Sequence, residues 1–345
     1  MATSDTIVAH AIQQFDLIAP VQVVAQLTSV NHQNLLLQTA NGDFVLKIYA
    51  VDQDEAALRY DHHLVRWLSW RSTSFAVPLP LRGRSIYYSR NMGDYIYSLT
   101  PLILGEAPEF RLLANGQHHP AINQWAYAMG TALGELQKLL QARPVQHRRP
   151  SALFQALLNY AQPRYDPLQL SAAQFGGSAS DDELWAWWRS EAASLMEFVA
   201  NEYPALPQQV CHNDFAPPNI LMHDERVAAI LDFEFACPAA RALDVAMALR
   251  MIMQLDSNPA NPWAVAEQFC RGYAAWIKLT PQEIAAMPQL IGLRTAIPLI
   301  WAISKPEPPS HTSLEQAIRR MQASKAWMHQ QQGQLIALLQ TMFAS

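Results

Sequence analysis

Hydrophobic and polar positions first fall into a clear pattern in NLLLQTANGDFVLKIY, residues 34–49, where two runs of strand composition flank Asn41-Gly42. That dipeptide suits a tight type I′ turn, so the stretch predicts a β-hairpin. Alternation in the second strand places Val45, Lys47 and Tyr49 on one face and Phe44, Leu46 and Ile48 on the other. From about Gln53 the period changes, and Leu58, Leu64, Val65 and Leu68 form the apolar stripe of a helix. Further strands are expected at Ser85 to Tyr88 and Tyr95 to Leu99, so residues 1–100 read as a small sheet carrying one helix. After TPLILG the pattern becomes helical, at about 120–142, 182–202, 239–255, 261–277 and 312–343. Residues 143–150 and 171–182, rich in proline, glycine and small polar side chains, read as loops. The expected class is α+β, with a sheet-bearing part at 1–100 and a mainly helical part at 101–345.

Composition narrows the partners. Of 345 residues, 50% are hydrophobic and 15% charged, and the formal net charge is -5, so no excess of basic charge points to nucleic acid or an anionic membrane. Only Cys211, Cys237 and Cys270 occur, with no CxxC pair, which argues against a disulfide framework or a zinc site. The first twenty residues lack the charged and apolar regions of a signal peptide, and no apolar run approaches a membrane span, so a cytoplasmic location is expected. Ten tryptophans raise the question of an aromatic cage for a quaternary ammonium ligand, but packing between helices is their ordinary use.

The chemistry concentrates in VCHNDFAPPNILMHDERVAAILDFEFA, residues 210–236. Asn219 to Asp232 reads as a hairpin with strands ILM and AAILD. Centring its turn on Glu225-Arg226 brings Asn219 opposite Asp232. A carboxylate and a carboxamide at the open end of a ribbon suit Mg2+, a hard cation that takes few protein oxygens and completes its shell with phosphate and water. Asp214 precedes Asn219 by five residues, in a loop where Pro217-Pro218 is expected to rule out helix. Beside a metal-bound triphosphate it could accept the proton of a substrate hydroxyl.

These residues resemble a known family. His212, Asp214 and Asn219 match the H-x-D-x-x-x-x-N catalytic loop, and Leu231-Asp232-Phe233 the metal motif, of the aminoglycoside phosphotransferase and choline kinase branch of the protein-kinase-like fold. ILDFEFACPAARALDVAMAL looks most like the type II homoserine kinases and related small-molecule kinases. The resemblance implies a bilobal molecule with a nucleotide-binding lobe at 1–100 and a catalytic, substrate-holding lobe at 101–345, using ATP and Mg2+. It implies Asp214 as base, Asn219 and Asp232 as metal ligands, and His212 and Asp244 as structural supports. It implies Lys47 as the strand lysine on the α and β phosphates, held by a helix carboxylate, for which Asp61 is preferred over Glu55 because it shares a face with Leu58, Leu64 and Leu68. Thr28, Ser29, Asn31 and Asn34 stand where protein kinases have a glycine-rich turn, as candidate phosphate donors. Thr100-Pro101-Leu102 takes the place of the adenine-binding hinge.

Only 11 residues separate Asp232 from Asp244, leaving no room for an activation loop, so a small hydroxylated acceptor is expected. Homoserine or a similar amino alcohol fits best, with an aminoglycoside, choline or ethanolamine as alternatives, and a nucleotide-binding pseudokinase as a different class of reading. Arg250 and Arg294 are candidates to receive a substrate carboxylate, although surface or intrahelical pairing is the commoner fate of such residues.

Overall fold

The computed structural model describes residues 4–27, 32–49, 55–71, 73–82, 89–90, 96–112, 117–143, 166–177, 182–255, 262–303 and 309–343. The chain forms two compact units, one of residues 1–105 with 228–234, the other of residues 106–227 with 235–345. The short segment 228–234, which carries Asp232, therefore groups with the N-terminal residues.

The first unit contains helix α1 (Ser4–Gln14), strands β1 (Gln22–Leu27), β2 (Gln33–Thr39) and β3 (Gly42–Ile48), helix α2 (Glu55–Ser69), and strands β4 (Ser89–Arg90) and β5 (Ile96–Pro101). The sheet is antiparallel in the order β1-β2-β3-β5-β4. Alternation in β3 is as the sequence predicts, because Phe44, Leu46 and Ile48 are buried. They join Leu35, Leu37, Tyr97 and Leu99 in one core with Ile7, Ala11 and Leu17. So α1 covers one face of the sheet, and this part carries two helices rather than the single one expected. On the other face Tyr49 and Ile96 pack against Leu58 of α2.

The β2–β3 turn departs from type I′. Thr39 pairs with Gly42, so the loop residues are Ala40 and Asn41, and of this stretch only Gly42 has positive φ, at 127°. Asn41 instead locks the corner by side-chain bonding. Its Oδ1 accepts from Ile18 N at 3.1 Å, and its own N–H donates to Thr39 Oγ1 at 3.2 Å. The strand expected at Ser85 to Tyr88, and Thr28, Ser29 and Asn31, lie outside the described residues, as do 144–150.

His62 on α2 is buried beside the Tyr49 hydroxyl, 3.3 Å from Nε2, and burial pushes its imidazole pKa down to about 4. An unfolded histidine titrates near 6.5, so the stability it contributes is present above about pH 6.5 and lost as pH falls toward 4. Urea unfolding at pH 7 and pH 5 should show wild type losing about 2 kcal/mol more than His62→Gln over that interval.

The second unit contains α3 (Ile122–Leu140), α4 (Asp182–Asn201), β6 (Gln208–Cys211), β7 (Ile220–His223), part of β8 (Arg226–Ile230), β9 (Cys237–Ala240), α5 (Ala242–Ile252), α6 (Trp263–Ala274), α7 (Pro281–Ile303) and α8 (His311–Phe343). Helices α3 and α6 touch backbone to backbone. A Cβ on Gly130 would lie 2.0 Å from Phe269 O, and one on Gly272 2.2 Å from Tyr127 O, so only glycine permits the approach. Among the described residues of 171–182, Ala172–Phe175 forms a 3-10 turn, and α4 begins at Asp182. Residues 239–240, read as helical, belong to β9, which pairs antiparallel with β6, and α5 begins at Ala242.

Helix α7 is another element that sequence periodicity missed. Pro288 and Pro298 lie inside it, and its apolar residues crowd too many faces to show a stripe. Its start is nonetheless written in TPQE: Thr280 Oγ1 accepts from Glu283 N at 3.2 Å, Glu283 Oε2 accepts from Thr280 N at 2.8 Å, and Pro281 fills the first turn. Among the described residues no helix is long and apolar enough to cross a membrane.

Candidate active site

In the first unit, β3 carries Lys47 between Asn34 of β2 and Ser98 of β5. Its Nζ lies 3.0 Å from Asp232 Oδ1 and 3.3 Å from Glu234 Oε2, and that same Glu234 oxygen lies 2.6 Å from His32 Nε2. Burial works against the ammonium, but the Asp232 and Glu234 charges outweigh it and raise its pKa, so Lys47 stays protonated. The Tyr49 ring adds a cation–π contact at 5.4 Å. Asp232 takes a left-handed backbone, φ 57°, an unusual conformation for a residue with a side chain, just after β8 ends.

The carboxylates that ion-pair with Lys47 thus come from the segment 228–234. Asp61 lies buried in α2, where its charge helps raise the Tyr49 pKa after burial. Glu55 lies 3.7 Å from Arg59 one turn along the same helix. Glu234 and His32 escaped the sequence reading, although the Asp232-x-Glu234 spacing was there to be read. Asn34 stands directly opposite Lys47 with its Oδ1 buried and lacking a hydrogen-bond partner. Thr100 pairs with Val45, and the Leu102 N–H donates to Asp43 O at 2.9 Å.

In the second unit, β6 delivers the loop His212 to Pro218. Asp244, fully buried near the start of α5, takes hydrogen bonds from His212 N at 2.9 Å, Asn213 N at 2.7 Å and Gln137 Nε2 at 3.2 Å. One buried carboxylate thereby holds two successive peptide N–H groups. Asn213 sits at φ 62°, and its side chain donates to Phe235 O and Cys237 O, both at 3.2 Å, which holds the uncommon backbone in place. Asp214 N donates to His212 Nδ1 at 3.2 Å. Gln137, from a helix far back in the chain, carried no motif that would single it out.

The two prolines do not exclude every kind of helix. Pro217–Asn219 forms one 3-10 turn, with both prolines in its first positions, where a missing N–H costs nothing. The turn directs Asn219 Nδ2 to Asp214 O at 2.9 Å and Asp214 Oδ2 at 2.7 Å. Because both acceptors take the amide nitrogen, the amide oxygen points away from Asp214 and remains a hard donor for a cation. Arg294 of α7 places Nη2 3.7 Å from Asp214 Oδ1.

The hairpin turn falls one position earlier than expected. Strand β7 ends at His223 and β8 begins at Arg226, so the corner is Asp224-Glu225, with Asp224 at φ 54°. Asn219 and Asp232 both lie outside the strands, and the ladder by itself does not set them opposite one another. Among the described residues no three His, Cys, Asp or Glu side chains form a ready-made metal cluster. Asp232 in the first unit, and separately Asp214 and Asn219 in the second, carry oxygens of the hard kind that Mg2+ takes in small number.

Comparison with known proteins agrees with the resemblance seen in the catalytic loop. A homoserine kinase of Gluconobacter oxydans (strain 621H) is 27% identical over 264 residues, covering 76% of this chain and 75% of its own length. Among solved structures, a microcompartment-associated aminopropanol kinase superposes with a TM-score of 0.71 at 17% identity, over 96% of this chain and 98% of that one. A choline kinase from Cryptosporidium parvum Iowa II gives a TM-score of 0.65 at 13% identity, over 99% and 100%. These likenesses establish the protein-kinase-like fold. The model of the phosphotransferase enzyme family matches residues 23–279, and the chain belongs to that family.

Proposed function

We propose that this phosphotransferase moves the γ-phosphoryl group of ATP to the hydroxyl of a small amino alcohol of the homoserine kind, with Asp214 as the base. The observation that carries this reading is the bracing of Asp214. Its backbone is held through His212 and Asn213 on the buried Asp244, and its carboxylate is aimed by the Asn219 amide. A base that must meet a hydroxyl within hydrogen-bond reach gains from being held before the substrate arrives.

In the reaction the acceptor O–H donates to the Asp214 carboxylate, the oxygen bonds to the γ-phosphorus, and the bond from that phosphorus to the ADP oxygen breaks. The Lys47 ammonium neutralises phosphate oxygens, and Asn34, across the ladder from it, supplies a polar partner beside them. Thr100 and Leu102 border the adenine. Asn219 Oδ1 and Asp232 are the ligands offered to Mg2+, which when bound shields the phosphate charge. Glu234 and His32 keep Lys47 placed. The homoserine kinase among the relatives supports the choice of acceptor, and the aminopropanol and choline kinases among the structures support the wider class of small alcohols.

A panel of acceptors tests the assignment. With ATP and Mg2+, kcat/KM for L-homoserine should exceed that for choline or kanamycin about 100-fold or more. Turnover confined to kanamycin or choline would move the protein to another branch, and ATP binding without transfer to any acceptor would make it a pseudokinase.

A further inference from the structure

Arg294 has a setting that bracing Asp214 alone does not account for. It lies within α7 with 4% of its surface exposed, where a guanidinium gives up nearly all of its hydration. Among the described residues its ion-pair partner is Asp214 Oδ1, 3.7 Å from Nη2, a distance too long for a hydrogen bond. Nε and Nη1 are buried with no hydrogen-bond acceptor. Each of the two planar edges of the guanidinium, Nε with Nη2 and Nη1 with Nη2, therefore keeps an open donor. Burial depresses the Arg294 pKa, Asp214 and Asp244 push it back up, and Arg250 depresses it further, so the charge is held at some cost. Arg250 differs, since its Nε donates to Thr295 Oγ1 at 3.1 Å.

Open donors on a buried, planar cation match the paired oxygens of a carboxylate better than any neutral group. An anion that met Nη2 would lie beside Asp214 Oδ1, where the acceptor hydroxyl is read to bind. Of the groups read as serving the nucleotide, Lys47 and Asp232 belong to the first unit and Asn219 to the same unit as Arg294. We infer that Arg294 receives the carboxylate of the acceptor, so that the substrate is a short hydroxy amino acid and an amino alcohol lacking the carboxylate is selected against. This rests on the assignment of Asp214 as the base for phosphoryl transfer and names the acceptor's second anchor.

The test compares L-homoserine with 3-amino-1-propanol, which is homoserine without its carboxylate. Wild type should prefer homoserine about 100-fold in kcat/KM. Arg294→Gln should shrink that ratio to below about 5, chiefly through the KM for homoserine, and Arg294→Lys should restore part of it. If Arg294→Gln lowers both acceptors equally, Arg294 serves Asp214 or the phosphoryl group and the inference fails. A second measurement needs no variant: L-2-aminobutyrate should compete with homoserine in wild type about 30-fold better than n-propylamine, and equal inhibition by the two would also overturn it. Turnover of both alcohols without preference overturns this inference alone, whereas transfer to neither overturns the kinase reading on which it rests.

Discussion

Asp214→Asn is expected to lower kcat for phosphoryl transfer about 10²–10⁴-fold while ATP affinity stays within about 3-fold. The replacement has the same shape, and the bond from Asn219 Nδ2 to the residue 214 carbonyl does not depend on the side chain. The buried Asp244 still holds His212 and Asn213, so the loop keeps its path. What disappears is the group able to accept a proton. Steady-state kinetics with the best acceptor, paired with nucleotide titration by fluorescence, separates the two quantities. A variant with wild-type kcat would remove Asp214 from the mechanism.

Lys47→Met should reduce kcat/KM for ATP about 10²-fold or more, as loss of a preorganised charge facing developing negative charge does elsewhere. Here the loss is compounded, because Asp232 and Glu234 both rely on the same ammonium. Without it two carboxylates repel one another and the incoming triphosphate. Lys47→Arg should recover little, since a flat fork cannot reproduce a compact ammonium enclosed beside Tyr49. Initial rates over a range of ATP concentrations measure both variants, and near-normal kcat/KM in Lys47→Met would show that the lysine does not serve the nucleotide.

How far the sequence carried this picture depends on the range of the interactions involved. Strand β3 was legible because alternation is a property of neighbouring residues, and the buried set Phe44, Leu46 and Ile48 followed directly. The loop that carries the proposed base stood out in the sequence because His212, Asp214 and Asn219 lie within one short segment. Helix α1 went unread because Ile7 and Ala11 form too brief a stripe until the sheet face gives them a partner. Helix α7 went unread because internal prolines argue locally against helix, whereas its Thr280–Glu283 capping pair and the burial of Leu290, Leu293 and Ile297 argue for it. Ion pairing of Lys47 was sought on α2, one element downstream, but Asp232 and Glu234 reach it from 185 and 187 residues away. The burial of Arg294 is likewise a tertiary fact: on α7 alone nothing distinguishes it from a surface arginine.

The most direct test of the central claim follows phosphorus itself. Purified wild-type protein with ATP, Mg2+ and L-homoserine, observed by 31P NMR, should convert the γ-phosphate resonance of ATP into that of a phosphomonoester, with ADP appearing in equal amount and Asp214→Asn giving no such resonance on the same timescale. ATP that persists unchanged, or that yields only inorganic phosphate, would contradict phosphoryl transfer to the acceptor hydroxyl.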